Sequence, residues 1–174
     1  MVQARCPGLS KPIPTGATAV AKEVIRRTAS DNVYLHKDFH GALSAGIEYL
    51  QRHFGDEAVR QYLRQFAISY YAPLIEAVRE RGLAALHDHF AKVYQREGAE
   101  ARMKLTDDEL FIELDACPAV THMRRHGYPI APLFYETTKT VNEALCQSTP
   151  FVAELMEYDH KTGRSIQHFY RRPR

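Results

Sequence analysis

The sequence predicts an α+β fold in which an N-terminal helical layer packs on a small C-terminal antiparallel sheet of about three strands, ending in a hairpin. Two observations predict this class. Apolar residues recur at helical spacing over residues 38–96, and the period changes to two over residues 110–116 and 151–171. Helices followed by strands are typical of α+β proteins. The 174 residues, 45% hydrophobic and 25% charged, suit a single domain over residues 31–174.

The N-terminal residues 1–30 predict an arm that contains Pro and Gly, with a short helix over residues 17–29. Beyond it, apolar residues three and four apart predict amphipathic helices. Pro73 predicts a break or kink near Tyr71, with a further turn or two to Gly82. The main helices are predicted over residues 38–54, 56 to about 71, about 83–96, 118–126 and 136–147.

The strands follow from alternation of apolar and polar residues. One strand is predicted over residues 110–116, and a hairpin is predicted from residues 151–158 and 164–171 around a turn at 159–163. The exposed edge of such a hairpin could pair with a second copy of the chain, so a homodimer or an assembly role is one alternative.

Composition excludes several classes of protein. No stretch approaches the ~18 consecutive apolar residues of a membrane span, and no signal-peptide pattern opens the chain, so the cytoplasm is expected. Three widely spaced cysteines, Cys6, Cys117 and Cys146, predict reduced thiols rather than a disulfide framework. The net charge of +2 hides a basic C-terminal tail that could touch phosphates, but no helix or strand carries a basic stripe interleaved with aromatics, which argues against nucleic-acid binding.

The densest polar cluster lies at the entry to the first main helix. His36 and His40 are four residues apart, so in a helix both imidazoles would face one side and could bind zinc. A metalloprotease motif needs Glu directly after the first His, and Lys37 stands there. The alternative is that Asp38 caps the helix and the histidines are half exposed. Substrate-binding roles are predicted for Tyr34, Lys37 and Asp38.

Cys117 lies between a predicted strand and a helix that begins at Pro118. Its thiol should face free backbone N–H groups at the positive end of the helix dipole, which favours thiolate over thiol. Such a thiolate could be a nucleophile or a metal ligand, whereas the alternative is a small buried hydrophobe. The candidate catalytic residues, which are also the candidate ligands for a divalent metal such as zinc, are Cys117, His36, His40 and His122.

A third stretch, residues 135–143, offers hydroxyls, a carboxylate and an ammonium group. These groups suit a polar substrate that carries a carboxylate, although they could equally form a solvated helix face. Tyr71, beside the predicted helix break, could border a pocket. The further candidate substrate-binding residues are therefore Tyr71, Glu136, Thr138, Lys139 and Asn142.

Four short segments, which lie at residues 34–40, 46–50, 116–119 and 136–143, together resemble the L-2-amino-thiazoline-4-carboxylic acid hydrolase-like family of small bacterial proteins. The resemblance covers about residues 33–172 and implies hydrolytic opening of a thiazoline ring to an N-carbamoyl cysteine. The family's Cys-Pro after a strand matches Cys117 and Pro118, and its small spacer ending in Gly matches Gly127. Where the family has two further cysteines, this chain has Tyr135 and the pair Gln167-His168.

Two functional hypotheses follow. The first is a hydrolase for a small cyclic amidine or amide, with Cys117 as nucleophile or metal ligand, a histidine as proton carrier, and Lys37 or Lys139 holding a substrate carboxylate. The second is a non-catalytic domain that binds a small ligand or a metal, as a sensor does, and it is motivated by the nine histidines.

Overall fold

A computed structural model describes residues 37 and 39–173, and all of these fall within one compact unit, Tyr34–Arg174. The predicted arm over residues 1–30 lies outside the described residues, as do Tyr34, His36 and Asp38. In chain order the elements are α1 (Phe39–Phe54), α2 (Asp56–Tyr70), α3 (Ala72–Arg81), α4 (Leu83–Glu97), β1 (Ala101–Leu105), β2 (Glu109–Leu114), α5 (Pro118–Arg125), α6 (Glu136–Cys146), β3 (Phe151–Tyr158) and β4 (Ser165–Arg171).

The predicted fold class is confirmed, with helices preceding a small antiparallel sheet. The sheet has four strands in the order β1-β2-β4-β3, so the expectation of about three strands was one too few because β1 was missed. The hairpin of β3 and β4 is confirmed, and Leu110 of β2 pairs with Phe169 of β4.

The helix break at Tyr71 is also confirmed. Helix α2 ends at Tyr70, and α3 begins at Ala72 with Pro73 in its first turn. Proline lacks an N–H group and its ring clashes with the carbonyl of the preceding turn, so a continuous helix through this position is unfavourable. The backbone N–H of Tyr71 still donates to the carbonyl of Ala67, which closes the last turn of α2.

One hydrophobic core joins the helices to the sheet. Side chains that alternate along the inner face of the sheet, such as Ile112 and Phe169, are fully buried against helical residues such as Leu63 and Leu86. The ring centroids of Phe90 on α4 and Phe169 on β4 lie 5.7 Å apart. Because successive strand residues face opposite sides, this alternation is what the two-residue period predicted.

The sheet has two edges, β1 and β3. Arg102 and Lys104 are exposed on β1, and the pairing of β3 with β4 shifts register between Leu155 and Glu157. Charges and irregularities of this kind discourage pairing of an edge with another chain. The homodimer stays a prediction. Within the described part of the chain, no helix combines the length and the apolar character needed to cross a bilayer.

Candidate functional site

A cavity of about 270 Å³ lies where α1, α2, α4, α5 and α6 meet the turn of the β3–β4 hairpin. It brings together His40 and Cys117, the two candidate catalytic residues that sequence placed far apart, with Tyr71 and Thr138. Its walls are mostly apolar and include several aromatic rings. The described residues with aromatic or hydroxyl side chains around it are Phe39, Tyr62, Phe66, Tyr71, Tyr94, Phe134, Thr137, Thr138 and Ser165.

Cys117 occupies the N-cap position of α5, as the strand–Cys–Pro pattern predicted. Its backbone is extended, with φ −72° and ψ 124°, and its N–H donates to the carbonyl of Thr162 at 3.0 Å. Pro118, which has no N–H to leave unpaired, begins the helix. The Cys117 side chain makes no capping hydrogen bond, although the nearby backbone N–H groups of Val120 and Ala119 act to lower the pKa of its thiol.

The prediction that Cys117 favours the thiolate is wrong. Burial raises the pKa of the thiol, and the negative charge of Glu97 raises it further. The N–H groups of Val120 and Ala119 act in the predicted direction and lower the pKa, but the loss of solvation outweighs them. The resting side chain near neutral pH is therefore a thiol.

Gly163 in the hairpin turn fixes the position of Cys117. A Cβ atom placed on Gly163 would lie 2.4 Å from Cys117 Cβ and 3.0 Å from Val120 Cγ2. The φ angle of Gly163 is +69°, in the left-handed region that glycine adopts most readily. The turn is stabilised by Asp159, whose carboxylate accepts hydrogen bonds from the Lys161 N–H and the Thr162 hydroxyl.

His40 on α1 lies beside a buried carboxylate. Its Nε2 is 3.5 Å from Oε1 of Glu97, the last residue of α4, and the two side chains are 16% and 5% exposed. Burial lowers the pKa of His40, and the nearby charges of His122 and Lys37 lower it further, whereas Glu97 partly opposes them. The imidazole is thus neutral near pH 7 and able to accept a proton.

Behind the cavity wall lies a buried polar network. Asn142 Nδ2 donates to Gln167 Oε1 at 2.8 Å, and Gln167 Nε2 donates to Tyr94 Oη and to Ser165 Oγ, each at 3.2 Å. Burial raises the pKa of Tyr94 to about 12. Asn142, predicted to bind substrate, instead orients Gln167, which contacts two residues of the cavity wall.

The other candidate substrate-binding residues of α6 are held away from the cavity. Glu136 is 1% exposed and its carboxylate joins α2 to α6, with Oε1 2.9 Å from Arg60 Nε and Oε2 accepting from the Thr140 hydroxyl at 2.6 Å. Lys139 forms an ion pair at 3.1 Å with Glu143. Only Thr138, among the predicted residues of this stretch, borders the cavity.

His122 and Lys37 border a separate open groove next to the cavity. The rings of His122 and His126 lie 4.2 Å apart, as their spacing on a helix predicts. Lys37 Nζ donates to the backbone carbonyl of Glu97 at 3.2 Å. Glu97 separates this groove from the cavity, so His122 and Lys37 affect His40 through their charge.

No cluster of three or more His, Cys, Asp or Glu side chains that could hold a metal ion occurs among the described residues. Of the candidate zinc ligands, His40 and Cys117 share the cavity, His122 borders the groove, and His36 lies outside the described residues. The described part of the chain therefore gives the metal hypothesis no support.

Sequence reasoning missed Glu97, Tyr94 and Thr137, which all border the cavity. One signal for Glu97 exists. A carboxylate directly before Gly98 lies at the negative end of a helix dipole, where acidic residues are unfavourable without another reason. Tyr94 and Thr137 carry no such signal because they occupy ordinary positions of amphipathic helices.

The sequence was also compared with known proteins. Models of known protein families give no match, and neither do the curated proteins.

Proposed function

We propose that the cavity is the active site of a cytoplasmic hydrolase-like enzyme that acts on a small cyclic amidine or amide, of the thiazoline carboxylate type. The observation that carries the proposal is that Cys117 and His40 border one cavity, with Glu97 beside the imidazole. A nucleophile, a base and a carboxylate next to the base are the groups that covalent hydrolysis of such a bond requires.

The protonation states support a definite order of events. Cys117 begins as a thiol and His40 as a neutral imidazole, because burial raises the pKa of Cys117 and lowers the pKa of His40. As Sγ bonds to the amidine or amide carbon, the thiol proton passes to His40, and Glu97 stabilises the imidazolium that forms. A ring bond to that carbon then breaks, and the departing heteroatom takes the proton from His40.

The second half of the reaction restores the enzyme. Water attacks the carbon of the covalent intermediate while His40 removes a proton from it, and the carbon–sulfur bond to Cys117 breaks. The sulfur regains its proton and the opened product leaves. The cavity volume of about 270 Å³ suits a small ligand.

The test is turnover of a panel of cyclic amidines and amides that includes 2-amino-thiazoline-4-carboxylate, followed by mass spectrometry. We expect hydrolysis by the unaltered protein, a loss of at least about a hundredfold in kcat/KM for Cys117→Ala and His40→Ala, and a trapped adduct on Cys117. Cys146→Ser is the matched control, because Cys146 is a buried thiol outside the cavity lining. Full activity of Cys117→Ala would refute the proposal.

A non-catalytic small-ligand domain is the second candidate, and the raised pKa of Cys117 in an aromatic cavity favours it. This candidate predicts that ligands bind the unaltered protein and Cys117→Ala equally well, with no turnover by either. Calorimetry and product analysis on the same samples separate the two candidates. Metal analysis of protein purified without a His tag tests the metal-binding version of this hypothesis.

A further inference from the structure

The ionisable groups around the cavity are unevenly distributed. Glu97 contributes a carboxylate, whereas burial favours the neutral forms of His40 and Cys117 near pH 7. None of the described residues that border the cavity is a lysine or an arginine. Among the described side chains on the cavity wall, no cation compensates the Glu97 carboxylate, which favours a ligand of opposite charge.

The Glu97 side chain is only 5% exposed, and its two oxygens differ. Oε1 lies 3.5 Å from His40 Nε2, while Oε2 accepts no hydrogen bond from any described residue. A buried carboxylate oxygen without a donor is costly, and donation from a charged N–H group is the most favourable way to satisfy it. Glu97 also borders the neighbouring groove, where its backbone carbonyl accepts from Lys37.

We propose that the cavity binds the protonated head group of a small amidine, guanidine or primary amine, and that Glu97 Oε2 accepts its N–H group. The aromatic rings of Tyr62, Phe66 and Tyr71 around the cavity suit a flat or cationic group. This inference deepens the proposed function, on which it rests for the choice of cavity, by naming positive charge as the feature selected. A ligand carboxylate finds no cationic partner on the described wall, so for a thiazoline carboxylate the inference assigns recognition to the protonated amidine part of the ring and not to the carboxylate.

The first test uses the unaltered protein and three ligands that differ in charge but share a ring, namely benzamidine, benzamide and benzoate. We expect isothermal titration calorimetry to show benzamidine binding at least about tenfold more tightly than benzamide, and benzoate binding most weakly. Equal affinity for benzamidine and benzamide, or tighter binding of benzoate, would overturn the inference.

The second test compares Glu97→Gln with Glu100→Gln, an exposed neighbour in the following loop. Glu97→Gln should weaken benzamidine at least about tenfold and leave benzamide within about twofold, while Glu100→Gln should bind both as the unaltered protein does. Unchanged benzamidine affinity in Glu97→Gln would contradict the assignment. If Glu97→Gln lowers the melting temperature too far for titration, the three-ligand comparison decides the question.

The outcomes separate this inference from the proposed function. Cys117→Ala should keep its affinity for benzamidine, because the sulfur is not part of the charge selection. Charge-selective binding without any turnover would uphold the inference and count against the hydrolase. Turnover of neutral amides together with no preference for benzamidine would overturn the inference and leave the hydrolase intact.

Discussion

The Cys117 thiol is subject to opposing effects at the scale of a single residue. Two backbone N–H groups at the start of α5 stabilise a thiolate, yet burial and Glu97 raise the pKa above its ordinary value. We therefore expect slow alkylation of Cys117 by iodoacetamide at neutral pH, with a rate that continues to increase above about pH 9. Mass spectrometry of a Cys6→Ser/Cys146→Ser variant, which leaves this thiol alone, measures the rate.

The control for this prediction is the same variant unfolded in urea, in which Cys117 has the pKa of an ordinary cysteine. The folded protein should react more slowly than the unfolded one at every pH below about 9. A folded-state rate that is already at its plateau below about pH 7 would show that the helix N-terminus dominates after all.

Gly163 offers a second prediction at this scale. Gly163→Ala brings a Cβ atom to within 2.4 Å of Cys117 Cβ at a φ of +69°, so both strain and overlap oppose it. We expect a loss of about 2–5 kcal/mol in the free energy of unfolding, measured by urea titration. Gly98→Ala is the matched control, because its φ is +71° but its Cβ would meet open space, and strain alone should cost about 1–2 kcal/mol. Equal losses would mean that the contact with Cys117 is unimportant.

At the scale of elements, the buried Glu136 carboxylate connects α6 to α2. Thr140→Val removes the hydroxyl that donates to Glu136 Oε2 at 2.6 Å while keeping the shape of the side chain. We expect a loss of about 1–3 kcal/mol in the free energy of unfolding at pH 7. Thr138→Val on the same helix is the control, since Thr138 borders the cavity and its substitution should change stability by less than about 1 kcal/mol.

The contact between Thr140 and Glu136 also makes the free energy of unfolding depend on pH. Burial raises the pKa of Glu136, but the hydrogen bonds from Thr140 and Arg60 and the charges of Lys139 and Arg60 lower it more. A carboxyl group whose folded pKa lies below its unfolded pKa stabilises the fold above the unfolded value, about 4.3, and loses that effect as pH falls through the folded pKa. The stability difference between the unaltered protein and Thr140→Val should therefore shrink below about pH 4. A difference that grows in acid would contradict this account.

The elements also show what sequence could and could not predict. Pro73 correctly predicted the end of α2, and the alternation of apolar residues correctly predicted β2, because backbone sterics and strand geometry depend on neighbouring residues only. Strand β1 was not predicted, because its sequence, Ala-Arg-Met-Lys-Leu, lacks β-branched residues and few of its side chains are buried. Its pairing with β2 overrides this weak local propensity. Residue type alone could not show that Glu136 and Asn142 lie away from the cavity, since packing decides which face of α6 borders it.

The candidate site depends on how several helices pack together, and no single element forms it. Local sequence identified His40 and Cys117 and placed Cys117 at the start of a helix, but their shared cavity depends on how α1, α4 and α5 pack. The pKa of Cys117 could not be predicted because it depends on burial and on Glu97, which is distant in sequence. The burial of Cys117 and its proximity to Glu97 both require the helices to be packed on the sheet.

The unit Tyr34–Arg174 should unfold cooperatively, because a single hydrophobic cluster contains buried residues of both its helices and its sheet. Leu86 of α4 is fully buried in that cluster, and Leu86→Ala should cost about 2–5 kcal/mol and lower the melting temperature by roughly 5–15 °C. Far-ultraviolet circular dichroism reports the helices, and the near-ultraviolet signal of tyrosines packed against the core, such as Tyr71 and Tyr94, reports the interior. Both signals should shift together in urea.

The matched control is Ile68→Ala on α2, where the side chain is 40% exposed and the loss should stay below about 1 kcal/mol. If α1 to α4 formed an independent layer, Leu86→Ala would move the far-ultraviolet transition and leave part of the near-ultraviolet transition in place. Coincident curves would instead mean that the geometry around Cys117 is held by the stability of the entire core. A core substitution far from the cavity would then leave the site intact in every folded molecule, and would lower activity only by increasing the fraction of unfolded protein.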